Sequence, residues 1–329
     1  MKHSHLLLVS FFGLIVVLII WVVNKPNPLQ HFIYEGFDTW IEVDLPSHHQ
    51  NVSQDIGTMI RELDEKWDRF DHRSEIWKIN QSQEPIKVNE QTCDLFGRAQ
   101  ELQNRTEGFF NIFVGSLMDE WGFHNNPRVP TPNQIQDRMK QIAHSSLIID
   151  RETKSVQRIG FSKIDLGGIA KGYLVDTIAI ELKKKQISPA LVNAGGTVYA
   201  LGKKFRVGIL HPRQKSIVGI VEVKDQAVST SGDYYRFFEQ DGIRYYHIIN
   251  PYTGYPSSYF SSVTVVYSKA ADADAISTAV MVGGPNLIPL VEKHFPGVAI
   301  ITVQADGKLM MNNAALKIFK KESTGKIYP

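Results

Sequence analysis

Ten residues, Ile164 to Tyr173, read IDLGGIAKGY and constrain the fold of this chain more than any other stretch. Gly167 and Gly168 follow the carboxylate of Asp165, so the backbone there can take positive φ or admit a ligand closely. Lys171 and Gly172 come next, and from Tyr173 to Lys183 apolar residues recur at helical spacing, at Val175, Ile178, Ala179 and Leu182. A glycine turn running into a helix start aims unpaired N–H groups outward, which suits phosphate. The same pattern also fits a tight turn capped by an aspartate, and a single glycine motif does not choose between them.

Beyond that helix the sequence breaks into short strands and turns. Pro189 to Gly202 holds two strands around a second double glycine, Gly195 and Gly196, and Phe205–Leu210, Ile217–Val223 and Ala227–Thr230 continue as strands. Asp241 and Gly242 form a favoured hairpin dipeptide between aromatic, β-branched flanks at Tyr234–Phe238 and Ile243–Ile249. Ser261–Tyr267 is one more strand, and Gly297–Phe319 reads as a strand pair around Asp306 and Gly307 with a final helix or strand.

Upstream, Phe32 to Leu45 alternates as a strand, and Ser53 to Arg69 is an amphipathic helix with Ser53 as its expected N-cap. Asp68 to Asn80 reads as loop, Thr92 to Thr106 as helix, and Gly108 to Phe123 as a core segment turning at Gly115. Thr131 and Pro132 cap and open another helix, and Leu147–Asp150 pairs with Ser155–Arg158 as a hairpin. Strand, turn and strand dominate, so the expected class is α+β with mixed or antiparallel sheets and flanking helices. A dinucleotide fold is disfavoured because neither double glycine has GxGxxG spacing with an acid about twenty residues on.

Ala270 to Gly284, AADADAISTAVMVGG, places Asp272 and Asp274 ahead of a helix. Asp274 and Thr278 are four apart, so on a helix they share a face and can offer oxygen to a hard cation such as magnesium. The other reading is an N-cap aspartate with a solvated neighbour. His247 falls on an apolar strand near a turn at Asn250–Gly254, where a lone histidine is usually a satisfied core or surface residue. Cys93 is the only cysteine, which rules out disulfides within the chain and reads as a small buried hydrophobe. A formal net charge of +2, evenly spread, argues against nucleic acid as the main partner.

Leu6 to Val23 is apolar and carries no charge, long enough to cross a bilayer as a helix. Trp21, Asn24 and Lys25 resemble an interfacial border, so the expectation is an uncleaved signal anchor over residues 1–25. Pro26 and Pro28 stiffen a linker at 26–31, leaving one domain at 32–329.

Taken in order, IDLGGIAKG, NAGG, TSGDYYRFF with HIINPYTGYP, and ADADAISTA resemble the motif series of the ApbE family, the FAD:protein FMN transferases. FNIFVGSLMDEWGF and SEIWKIN resemble that family's upstream motifs, so the likeness spans nearly everything after the apolar run. The resemblance implies a T-fold-like α+β domain that binds FAD as substrate, uses magnesium to split its pyrophosphate, joins FMN to a threonine or serine hydroxyl of an acceptor protein and releases AMP. It implies metal ligation by the Ala170 carbonyl, Asp274 and Thr278, with His247 or Asp274 as base. Asp165, Gly168, Lys171, Asn193, Gly195, Gly196, Ser231, Gly232 and His247 match its flavin-contacting positions. It further suggests a respiratory membrane complex subunit as acceptor, and a bacterial inner-membrane location with the domain on the periplasmic side. Departures fall at Asn250, where the family usually has aspartate, at Tyr252, often arginine, and at Asn111 and Ile112, usually Asp and Pro. Within the same chemistry a FAD pyrophosphatase releasing FMN and AMP is an alternative, as is a membrane-tethered FAD carrier.

Overall fold

The structure, a computed structural model, describes residues 29–304 and 306–321. The expected anchor at 1–25 lies outside the described residues, and among the described residues no helix is long and apolar enough to cross a membrane. The chain runs β1 (Leu29–Gly36), β2 (Thr39–Pro46), α1 (Gln50–Trp67), α2 (Glu75–Gln81), β3 (Ile86–Lys87), α3 (Glu90–Arg105), α4 (Gly115–Trp121), α5 (Pro132–Ala143), β4 (Ser146–Asp150) and β5 (Ser155–Ile159). It continues with α6 (Ala170–Lys184), β6 (Ala190–Ala194), β7 (Thr197–Leu201), β8 (Phe205–Leu210), β9 (Ile217–Val223), β10 (Gln226–Gly232), β11 (Phe237–Gln240), β12 (Ile243–Tyr246) and β13 (Ser262–Tyr267). The last elements are α7 (Ala270–Gly283), α8 (Ile288–His294), β14 (Ala299–Val303), β15 (Leu309–Met311), α9 (Asn313–Ile318) and β16 (Phe319–Lys320).

Eight strands form the central sheet, in the order β1-β2-β6-β7-β10-β13-β14-β15. Every pairing in it is antiparallel. Side chains alternate across a strand, so one sheet can feed two cores. Ala227, Val265 and Ile300 face the larger core under the helices. Their neighbours Val228, Val266 and Ile301 face a smaller core, closed by β8, β9 and α9.

Several expected boundaries move. The single strand expected over Phe32–Leu45 is a hairpin, because Phe37 and Asp38 take φ of 54° and 55° and reverse the chain. Helix α1 starts at Gln50 with His49 before it, so Ser53 is no cap; its carbonyl instead accepts the Tyr34 hydroxyl at 2.8 Å. Within the expected loop, Ser74 caps α2 by accepting the Trp77 N–H. Gly115 opens α4, and the turn falls at Gly122, with φ 67°. The Thr131 capping box and the Asp241–Gly242 hairpin form as the residues predict.

Candidate active site

Helices α6 and α7 cross at Gly172, where an added Cβ would lie 2.4 Å from the Ala270 carbonyl oxygen. Only glycine permits that approach. The crossing brings the Gly172 N–H to Asp274 Oδ2 at 3.0 Å. One turn along α6, Asp176 accepts the N–H groups of Ala270 and Ala271 at 2.8 and 2.9 Å and so caps α7 from the neighbouring helix. Asp272 and Asp274 therefore lie inside α7, not ahead of it. Asp272 is buried and paired with Arg98, which corrects the expectation of a solvated neighbour.

Asp274 is 6% exposed, and burial raises its pKa even though Lys171 and the Gly172 N–H pull the other way. Ser229 donates to Asp274 Oδ1 at 3.4 Å and is itself 2.8 Å from the Thr197 hydroxyl. No ion pair reaches Asp274 among the described residues. Thr278 stands one helical turn on, 3.2 Å from the Cβ position of Gly168, and its hydroxyl is 3.5 Å from Ser231 Oγ. Ala170, Asp274 and Thr278 line one cleft. No three His, Cys, Asp or Glu side chains cluster to hold a metal among the described residues. A cation here would rely on one under-neutralised carboxylate with hydroxyl and carbonyl oxygens, and that donor set fits a hard divalent ion.

A second wall comes from the opening motif. Burial alone would raise the Asp165 pKa, but Arg69 and the Gly167 N–H outweigh it and hold the carboxyl below its usual range. Arg69 donates to Asp165 Oδ2 at 2.8 Å, to the Gly115 carbonyl at 3.0 Å and to Asp119 at 2.6 Å. Asn80 grips the backbone of Ile164 from both sides, at 2.7 and 3.0 Å, which accounts for the asparagine of SEIWKIN. Lys171 Nζ donates to the Gly167 carbonyl at 3.1 Å and lines the cleft.

His247 sits one residue past β12, its Nδ1 3.3 Å from the Arg236 carbonyl. A carbonyl only accepts, so Nδ1 carries the proton and Nε2 keeps its lone pair. Burial, with Lys171 and Arg236 nearby, lowers the ring's pKa to about 4.

The cleft encloses about 530 Å³, within the range of small-molecule sites. Of the candidate residues, Asp165, Gly168, Ala170, Lys171, Gly195, Ser231, Gly232, His247, Asp274 and Thr278 line it. Asn193 and Gly196 do not: Asn193 bonds Glu42 and the Gly196 N–H, bracing a turn whose glycines take φ of 56° and 93°. Arg69, Asn80, Ser229 and Asp176 escape sequence reasoning, because their partners lie between 32 and 96 residues away. Asn250 does not line the cleft and donates to the Val282 carbonyl at 3.1 Å, a bond an ionised carboxylate could not make. Tyr252 packs edge-on against Phe109 at 5.1 Å.

The ApbE family model matches residues 37–302. A Vibrio cholerae FAD:protein FMN transferase is 35% identical over 248 residues, 71% of this chain and 74% of that protein. An Escherichia coli K12 protein of the same name is 30% identical over 273 residues, 78% of this chain and 77% of its own length. The crystal structure of the ApbE protein from Thermotoga maritima superposes with a TM-score of 0.82 at 30% identity, covering 89% of this chain and all (100%) of that one. The flavin transferase ApbE from Vibrio cholerae gives a TM-score of 0.76 at 28% identity, with 89% and 100% covered.

Proposed function

The chain belongs to the ApbE family, and from that premise we propose that this FAD:protein FMN transferase works with magnesium and attaches FMN, through its phosphate, to a threonine or serine hydroxyl of an acceptor protein, releasing AMP. The observation that carries the reading is the buried, under-neutralised Asp274 beside Thr278 and Ala170 in a cleft faced by Lys171 and His247.

Magnesium held by Asp274, Thr278 and the Ala170 carbonyl would neutralise pyrophosphate charge and stabilise the leaving phosphate of AMP. Lys171 adds positive charge on the same wall, and the Gly168 and Gly195 backbones leave room for the nucleotide. The acceptor hydroxyl attacks the FMN phosphorus as the bond to the AMP oxygen breaks, and His247 Nε2 takes the hydroxyl proton. The imidazole is neutral at physiological pH, which leaves Nε2 open to accept the proton, while its low pKa makes it a weak base.

The test supplies FAD, magnesium and a threonine-bearing peptide to the full chain, following AMP release and flavin attached to the peptide. Flavinylated peptide with AMP is expected. AMP with free FMN would make the chain a pyrophosphatase, and tight FAD binding without AMP a carrier. Asp274→Ala should lower AMP release at least about 100-fold, and a variant retaining the rate would overturn the metal assignment.

A further inference from the structure

The register of the eight-stranded sheet gives it two unlike ends. At one lie the Gly36–Thr39 turn, the Ala194–Thr197 pair and Ser231–Gly232, where the cleft opens. At the other, Leu29 pairs with Pro46, Ala190 with Leu201 and Gln226 with Ala200. Three turns, at 185–189, 202–204 and 224–225, meet at this second end. The Gly202 N–H donates to Asp225 Oδ1 at 2.8 Å, and a Cβ on Gly202 would meet Ser188 Cβ at 2.7 Å.

The turns and the end of α6 carry Lys183, Lys184, Lys185, Lys203, Lys204 and Lys224, all exposed, and the turns hold the single acid Asp225. Lys185 pairs with Asp55 and Glu181. Lys203 lies over the Phe205 ring at 4.9 Å, and Lys184, Lys203, Lys204 and Lys224 make no ion pair among the described residues. Such a cluster stands out in a chain whose formal net charge is +2. Leu29 emerges at the same end, with five residues between it and the uncharged apolar run Leu6 to Val23. The six steps from Val23 to Leu29 span at most about 21 Å, so a bilayer holding that run lies within reach of the lysines.

We infer that this lysine-bearing end docks on an anionic phospholipid surface and turns the cleft away from it. Anionic headgroups attract basic groups held near the membrane, and salt screens that attraction within about 10 Å. The apolar run supplies proximity and the lysines supply orientation. Eight residues of β1 separate the two ends, roughly 25 Å at strand rise, so the docked domain presents its cleft well above the headgroups.

The full chain can be labelled singly at Ser47→Cys, beside Leu29, or at Asp38→Cys, at the cleft turn, because native Cys93 is 2% exposed. Inserted in vesicles of roughly three parts phosphatidylcholine to one of phosphatidylglycerol with a headgroup quencher, the Ser47 dye should be quenched at least about 3-fold more than the Asp38 dye. The difference should collapse in about 1 M salt, an arm that leaves every lysine in place. It should also collapse in pure phosphatidylcholine, and when Lys184→Glu, Lys203→Glu, Lys204→Glu and Lys224→Glu are combined. Equal quenching of the two dyes would overturn the orientation. A difference that survives neutral lipid, salt and charge reversal would overturn the lysine docking, the tether alone then explaining it.

Discussion

At His247, burial and the cations Lys171 and Arg236 work in one direction and bring the ring to about pH 4. The unfolded chain takes up that proton near 6.5, so as pH falls from about 6.5 toward 4 the unfolded state binds a proton the folded state does not. Stability from this residue is therefore whole above 6.5 and drains away through that window. Denaturant midpoints measured across it should fall less steeply for His247→Gln than for the native chain, and parallel curves would show that the ring titrates normally. The acid limb of kcat/KM should lie below about pH 5 and not near 6.5. Sequence placed His247 near a turn but could not choose between a satisfied histidine and a base. The Arg236 carbonyl that fixes its tautomer is 11 residues upstream, across a hairpin.

The α6–α7 crossing is the element that makes the site. Asp176 takes two N–H groups of α7 and is raised to about 6, burial outweighing both bonds, with Asp272 adding to the rise. Its folded pKa lies above the unfolded one, so protonation below about 6 favours the folded state, opposite in sign to His247. Asp176→Ala should cost about 1–3 kcal/mol at pH 7 by leaving the Ala270 and Ala271 N–H groups without their acceptor. Asp176→Asn keeps one acceptor and should recover part of that in thermal unfolding; an alanine variant as stable as the native chain would show that water satisfies those groups. The helices were legible from apolar spacing, and Asp274 and Thr278 were legible as one face. The start of α7 was not, since its cap sits 94 residues earlier on another helix and leaves no local signal. The hairpin at Phe37–Asp38 was missed for a related reason, as two non-glycine residues with positive φ look like any other alternating pair.

Across the whole molecule one sheet divides two cores, with Val265 on one face and Val266 on the other. Because adjacent residues of one strand serve both, the layers cannot open separately without breaking β13. Val265→Ala and Val266→Ala should each cost about 2 kcal/mol, and circular dichroism and tryptophan fluorescence should report the same single denaturant transition. Two transitions, one sensitive to each substitution, would mean that the layers unfold independently. The α+β class and most strands of this sheet were readable from turn residues and alternation, but not that every pairing in it is antiparallel rather than mixed. Its strand order was not, because β2 lies beside β6 across nearly 150 residues of sequence, as in the Asn193–Glu42 bond at a separation of 151.

The separation between Gly172 and Asp274, 102 residues, also sets when the site comes into being. Closing so long a loop costs chain entropy that only late, cooperative packing recovers, so such contacts form slowly. A nascent chain that has emerged only as far as residue 260 holds the glycine turn but lacks the carboxylate that completes it. On the proposed metal assignment the polypeptide is chemically silent for most of its synthesis, and it becomes competent only when roughly the last fifth of the sequence docks.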